Sequence, residues 1–552
     1  MKLDVSSLGY RWKGAYIAGN TYSKGDVVRV GDDAKVVGAD GLLTDFAQGQ
    51  QSAELKSEIL TNTNTPVVGA AGFVLQSATV GGTIQPQFKP TGERNGTKAV
   101  SLVTGGIGNR GQMKYGADGG GYHAGAVMTD GTLRVWGRRR YGETGLGDMG
   151  DVSRGIPSQA AFPPGTFIVK AWKCVNHMFA VDKDGQLWGT GYRFSGHGSD
   201  SQRNTFVNIS QTSDIKNDKI VDVTSSYDWQ GYNQIFAIGE SGRVYAWGYN
   251  QYGSLGLGDT NNRFTPTVVP FTKTTPIARV YAMSGNYAAS YFIDTEGYMW
   301  GCGYGADNLV NPSTIYTHQK NVSLHGGVGV RHVGSHESAG HWSGAGSYYR
   351  SYAITMNNGD LLVVPMSNGG QVGWFSVPNT SSSYVGLDEV TKTGVRMCAV
   401  KNGGYDQAVA LMLNGTVHGV GYSPLSGTGS NTSTWTQFPT IANAIDMVGA
   451  GSRHGQTIAI LTSDGYIYDM GYNEGDGAGN QSSGPTSPQK VVHTRPFVQV
   501  AKYGFQYDGV NNHGTYALDD KGDVYVWGSA AGYETADPND AENAYVPTQV
   551  KF

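Results

Sequence analysis

Short runs of alternating apolar and polar residues, the pattern of half-buried strands, recur along most of this chain. From about residue 102 to the end, one arrangement repeats. A short apolar run leads into a tight turn, then into a second run that usually ends in an aromatic residue and glycine. The turn glycines and following strands are Gly131 (TLRVWG), Gly185 (QLWGTG), Gly242 (RVYAWG), Gly297 (YMWGCG), Gly359 (DLLVVP), Gly415 (TVHGVG), Gly465 (YIYDMG) and Gly522 (DVYVWG). The intervals are 54, 57, 55, 62, 56, 50 and 57 residues. In seven copies a second glycine follows six residues after the first, and the fifth copy has Pro365 there.

Each copy reads as a hairpin. In six of the eight, Asp-Gly, Asn-Gly or Ser-Gly supplies the positive φ of a tight turn. Leu133 and Val135, or Val244 and Ala246, mark one face of a strand. Trp136 and Trp247 stand two residues later in their copies than Trp188 and Trp300. A two-residue drift keeps the ring on the same face. A unit of about 55 residues holds about four strands of ordinary length. One such sheet cannot bury both faces alone, whereas sheets stacked radially can. No helical periodicity appears within the units. The expected fold is all-β, a β-propeller of residues 102–552, with eight blades favoured and seven the alternative.

Composition supports this. Glycine makes up 83 of 552 residues and charged residues 15%, which argues against helical bundles and coiled coils. No strict Gly-X-Y period exists, so collagen is excluded. With 39% hydrophobic and 11% aromatic residues, the chain can bury a core. Net charge is −4 and no basic run exceeds Arg138-Arg139-Arg140, so no nucleic-acid partner is expected. Cys174, Cys302 and Cys398 are far apart and read as buried free thiols of a reducing compartment. Met1–Asn20 lacks the layout of a signal peptide. No apolar run reaches the ~18–20 residues of a membrane span.

The stretch Tyr245-Ala246-Trp247-Gly248-Tyr249-Asn250-Gln251-Tyr252-Gly253-Ser254-Leu255-Gly256-Leu257-Gly258-Asp259 resembles the repeat of the regulator of chromosome condensation family. Trp136-Gly137 and Tyr141 to Asp148 form a second match, and His123, His177, His454 and His513 echo an upstream histidine element. The remaining copies are degenerate. The resemblance covers about 450 residues. It implies a propeller, seven-bladed in founding members, which are exchange factors for a small GTPase and touch chromatin. This chain has no basic tail for the chromatin task.

Residues 1–38 differ in texture and read as a small β-module. Tyr10 to Tyr16, Tyr22 to Val28 and Gly31 resemble modules near the ends of bacteriophage tail and virion proteins, and are similar to short chitin-type carbohydrate-binding modules. Ala34, Lys35 and Val36 stand where those binding modules carry a further aromatic, which favours a docking role. Residues 39–101 read as a linker or arm, with a helix-compatible stretch at 46–65 and β or extended structure over 66–100.

The candidate sites are few. Trp229, Trp342, Trp374 and Trp435 fall outside the repeat register, in connecting segments, and are the candidates for a recognition surface. Trp12, Tyr16 and Tyr22 are candidates for sugar stacking or docking. His332, His336 and His341 with Glu337 do not form a metal motif and read as loop histidines. Asp469 is a single acid on an otherwise apolar strand. No carboxylate pair, phosphate loop or nucleophile elbow stands out, so no catalytic residue, metal or cofactor is expected.

These features together suit a non-enzymatic bacteriophage virion protein, assembled in the bacterial cytoplasm and exposed on the particle. Residues 1–100, with 10 basic and 9 acidic residues, would contact other virion proteins. The propeller would face a host-surface glycan or protein. The alternatives are a cellular propeller that binds a protein partner, of the exchange-factor type, and a polysaccharide depolymerase.

Overall fold

The computed structural model describes residues 11–15, 26–30, 33–37, 43–45, 73–80, 83–90 and most of 98–552. Within 98–552, segments 106–122, 227–232, 283–288, 305–314, 322–328, 339–348, 358–360, 367–382, 385–394, 402–406, 422–431, 452–455, 474–483, 508–509 and 529–543, with 175, 213 and 272–274, lie outside the described residues.

From Ala99 onward the chain forms eight four-stranded sheets, each an antiparallel meander of four consecutive strands. Blades 1 to 8 span residues 99–159, 168–208, 220–268, 277–321, 330–384, 395–437, 444–490 and 497–549. First strands of neighbouring blades adjoin at the 2/3, 3/4, 5/6 and 7/8 junctions and between blades 8 and 1. The molecule is an eight-bladed β-propeller.

Each blade is complete in sequence, so no strand is shared across the closure. Blades 8 and 1 join by packing and hydrogen bonds instead. Ala99, Leu102, Ala126 and Trp136 of blade 1 form one core with Val498, Tyr516, Val526 and Val550 of the last repeat. The Leu102 N–H donates to Gln499 Oε1 at 2.8 Å. Trp136 meets Tyr516 edge-on, with ring centroids 5.9 Å apart.

The tight turns explain the rest of the ring. The Asp182 carboxylate ends the second strand of blade 2 and accepts the N–H groups of Asp184 and Gln186 across the turn. Asp294 and Asp519 do the same in blades 4 and 8. At six junctions among the described residues, the turn glycine's carbonyl then accepts the first-strand N–H of the next blade. Ile168 donates to Gly131, Ile277 to Gly242, Val330 to Gly297, Ala444 to Gly415 and Phe497 to Gly465, at 2.8–3.0 Å. Ala99 donates to Gly522 at 2.8 Å, so the same bond closes the ring. Gly522 has φ +81°, and a Cβ there would lie 2.7 Å from the Ala99 carbonyl oxygen. Only glycine meets both demands.

The third-strand tryptophans all face the preceding blade. Trp136 lies in the blade 8/1 core, Trp188 in 1/2, Trp247 in 2/3 and Trp527 in 7/8, while Trp300 packs against the 3/4 core. The two-residue drift keeps the face and changes the partner of the indole N–H. At the earlier position, Trp188 and Trp300 donate to the turn carboxylates of Asp182 and Asp294 in their own blades. At the later one, Trp247 donates to the Phe194 carbonyl and Trp527 to Asp469, both in the preceding blade.

Two readings are corrected. Trp435 is half-buried on the outer strand Thr432–Gln437 of blade 6, not on a connecting segment. His332 is buried on the strand Val330–Ser338 of blade 5, with its ring edge-on to Tyr281 of blade 4. Val330 and Val333 anchor that strand in the core, which is why a Gly- and Ser-flanked segment is sheet and not loop.

Ahead of the ring, Arg11–Ala15, Asp26–Val30, Asp33–Val37 and Leu43–Asp45 form a four-stranded sheet whose first pair is parallel. Phe73–Val80 and Thr83–Pro90 form a hairpin. The helix-compatible stretch 46–65 lies outside the described residues. No helix among the described residues is long and apolar enough to cross a membrane.

Gly165 also has positive φ, at +85°, but nothing lies within 4 Å of a Cβ placed there. Gly165→Ala should therefore lose only the backbone term, about 1 kcal/mol. Gly522→Ala should lose at least about twice that by urea unfolding, because the added methyl opens the closing junction. Equal losses would show that the glycine is kept for its turn conformation alone.

Candidate interaction face

The second-to-third strand connections are tight turns at one end of the blades. The third-to-fourth strand loops emerge at the other end, and those of blades 1, 2 and 3 are described: 140–149, 192–202 and 249–262. Each is tied to the outer strand of the following blade. Gly147 N–H donates to the Asn204 carbonyl at 2.7 Å, Gly198 N–H to Phe264 at 2.9 Å, and Gly258 N–H to Thr317 at 2.8 Å. Within the third loop, Asn250 Oδ1 accepts the Leu255 N–H and its Nδ2 donates to the Asp259 carbonyl. These loops are braced from two sides, which removes the entropy cost of ordering them on binding.

Each loop pairs an arginine with an aspartate. Arg139 meets Asp148 at 2.5 Å, Arg193 meets Asp200 in a bidentate pair at 2.8 and 2.9 Å, and Arg263 meets Asp259 at 2.7 Å. Tyrosines stand between them. Tyr141 and Tyr192 have ring centroids 4.6 Å apart across the blade 1/2 junction. Arg138 and Arg140 lie 5.0 and 5.5 Å from the Tyr141 ring centroid, and Arg193 lies over Tyr192. Tyr252 meets Tyr304 across the blade 3/4 junction at 5.9 Å. All four tyrosines are half-buried. This face offers aromatic rings and guanidinium groups on a fixed frame, the composition that dominates protein interfaces.

Beneath the face lie groups held in unusual protonation states. Glu143 is buried, its Oε2 accepts the Tyr141 N–H at 2.6 Å, and burial raises its carboxyl to about 7. His123 Nε2 contacts the His177 carbonyl of the next blade at 3.1 Å, and His177 Nε2 contacts the Tyr192 carbonyl. Burial, reinforced by Lys173, lowers His123 to about 3, and burial lowers His177 to about 4. Both are neutral links between backbone segments. They share a register position, each opposite the third-strand glycine, where blades 3 and 6 carry Gln234 and Gln407. His513 is one residue out of that register, opposite Gly504, and His454 lies outside the described residues.

Of the tryptophans singled out from sequence, Trp229, Trp342 and Trp374 lie outside the described residues, and Trp435 is on blade 6, away from the Tyr141–Tyr192 pair. Trp12 sits on the strand Arg11–Ala15, opposite Val27, while Tyr16 and Tyr22 lie outside the described residues. Among the described residues no three His, Cys, Asp or Glu side chains gather as metal ligands. Cys174 and Cys302 are buried thiols outside any disulfide. The sequence reading passed over the tyrosines. Their signal was periodic: Tyr192, Tyr249 and Tyr304 each follow the third-strand glycine directly.

Comparison with known proteins fits this geometry. Residues 241–286 match the family model described as the regulator of chromosome condensation (RCC1) repeat. The chain is 27% identical over 186 residues to the ultraviolet-B receptor UVR8 of Arabidopsis thaliana, a match covering 34% of this chain and 40% of that protein. It is 27% identical over 212 residues to the human E3 ubiquitin-protein ligase HERC2, covering 38% of this chain and 4% of the ligase. The chain thus spans less than half the length of these relatives. Among solved structures, Prp20p of Saccharomyces cerevisiae, whose structure was described with its binding to Gsp1p and histones, is 17% identical with a TM-score of 0.47, over 76% of this chain and 85% of that one. Human WBSCR16 is 17% identical with a TM-score of 0.44, over 69% and 90%.

The buried histidines give a pH signature. A histidine held neutral below its ordinary value near 6.5 lends stability that is complete above 6.5 and lost as pH falls toward 4. The unfolding free energy measured with urea should fall over that window, by about 3 kcal/mol for His177. His177→Gln, the residue used in blade 3, should flatten the profile. An unchanged slope would show that His177 is not the group titrating.

Proposed function

We propose that this chain is a non-enzymatic propeller that binds a protein partner through the end of the ring carrying the third-to-fourth strand loops. The observation that carries the reading is the braced set of loops in blades 1–3, which presents Tyr141, Tyr192, Arg138, Arg140 and Arg193 together across a blade junction. The matched relatives include a photoreceptor and a ubiquitin ligase, so what they share with this chain is the repeat and not a reaction. A rigid repeat ring that offers different loops to different partners accommodates that variety. An exchange-factor role on a small GTPase is one form this binding can take.

A second reading is kept because a separate sheet and hairpin precede the ring. In it the chain is a bacteriophage virion component, docked to other virion proteins through residues 1–100, with the propeller outward toward a host-surface glycan or protein. Deleting residues 1–97, which spares Lys98 and the first strand from Ala99, would then leave a folded ring that no longer enters particles.

The binding reading is tested with immobilised protein and extract of the source cells, bound proteins being quantified by mass spectrometry. A loop variant (Arg138→Ser, Arg140→Ser, Tyr192→Ala) should lose a specific partner by at least about tenfold, near 1.4 kcal/mol. A turn-end variant (Lys183→Ser, Arg243→Ser) should retain it. Equal retention by both would place the interface elsewhere. Depolymerisation of a polysaccharide by the purified chain would replace this reading with an enzymatic one.

A further inference from the structure

The third strand of blade 7, Ile467–Asn473, carries Asp469 at a position held by Val135, Gly189, Ala246, Gly301, Val363, Gly419 and Val526 in the other blades. Its carboxylate reaches across the junction into blade 8. Lys502 Nζ, from the first strand Phe497–Tyr507, lies 2.7 Å from Asp469 Oδ1. The Thr515 hydroxyl donates to Asp469 Oδ2 at 2.7 Å and accepts from Lys502 Nζ at 2.8 Å. The Trp527 indole N–H donates to the same Oδ2 at 3.2 Å. Asp469, Lys502, Thr515 and Trp527 are all fully buried.

Two opposite charges in so dry a site carry a heavy desolvation cost, which a neutral pair avoids. Burial pushes the Asp469 carboxyl up and the Lys502 ammonium down. Both directions favour a carboxylic acid facing a free amine, and Lys502 Nζ, in contact with Oδ1, can pass its proton directly to that oxygen. Lys173 holds the register of Lys502 in blade 2, where blade 1 offers only Val135 in place of the acid. The lysine and the carboxylate coincide only at the 7/8 junction.

We propose that Asp469 and Lys502 condense to an isopeptide bond that staples blade 7 to blade 8. The Nζ lone pair attacks Cγ and the N–C bond forms. The displaced electron pair moves to Oδ2, where the Thr515 hydroxyl and Trp527 N–H hold the developing charge as an oxyanion hole does. The intermediate collapses with cleavage of Cγ–Oδ1. Oδ1 leaves as water with two of the three protons of the original ammonium, and the third stays on the amide nitrogen. No oxidant, reductant or further reactant is needed. Fixed positioning at contact distance supplies the effective concentration, and the dry junction protects the product from hydrolysis. The proposal is independent of what the ring binds.

The test is the mass of the full-length protein, purified folded and then denatured. The expected mass is one water below that of the sequence, with a digest yielding a branched peptide that joins the segments of Asp469 and Lys502. Lys502→Arg keeps a cation but cannot form this amide, and should have the full sequence mass. Succinimide formation at any of the seven Asp-Gly steps of the sequence also expels water, and the branched peptide separates the two. A full sequence mass in wild-type protein that melts cooperatively would overturn the proposal, as would a water loss mapped to an Asp-Gly site. If Lys502→Arg fails to fold, the wild-type mass and peptide map decide alone.

Discussion

The structure depends on the hydrogen bond from a blade's first-strand N–H to the preceding blade's turn-glycine carbonyl, seen at six junctions among the described residues. A four-stranded sheet of this size cannot bury both of its faces, so no blade is stable alone. The bond fixes each sheet against the next at the end where backbone groups would otherwise lie unpaired in a junction. It also places the apolar faces in contact, and the cores defined among the described residues include the one between the last and the first blade. Because no strand is exchanged at the closure, the Ala99–Gly522 bond and the Lys98–Asp523 pair carry there what chain connectivity carries elsewhere.

This arrangement divides the labour between the two ends. At the turn end, geometry is dictated by φ, by capping carboxylates and by close approach, and little can vary. At the loop end, the amides of Gly147, Gly198 and Gly258 reach the next blade's outer strand, and buried Glu143, Asn250 and Leu255 hold the loops from beneath. The half-buried and exposed positions are left for recognition, and tyrosine and arginine occupy them in blades 1 and 2. The later blades meet the same need for adhesion by other means. Arg495 ties the blade 7–8 connection to Asp519 and Asp523, and Asp469 meets Lys502 in the 7/8 core.

Much of this was legible in the sequence because the repeat samples one environment eight times. The glycine spacing pointed to the ring and favoured eight blades over seven, and the two-residue tryptophan drift was readable as one face. What a single repeat does not encode is its neighbour. Asp469 stood out as an acid on an apolar strand, but Lys502 is 33 positions away and its blade 2 counterpart has no acid opposite. His513 matches the histidine element in sequence and misses its register by one residue, since Gly514 is the residue opposite the third-strand Gly528. His332 sat among glycine and serine and read as loop, until Val330 and Val333 placed it on a buried strand. The tyrosine pair was missed because Tyr141 and Tyr192 belong to different copies and meet only once the blades are stacked.

The central claim is that the ring closes by the same bond that joins its other blades, and native-state hydrogen exchange measures it directly. The Ala99 amide should exchange as slowly as those of Ile168, Ile277 and Phe497, within about tenfold, opening only with the whole ring. If Ala99 exchanged like an unprotected amide while the others stayed protected, blades 1 and 8 would be apposed but not joined, and the closed-ring account would fail.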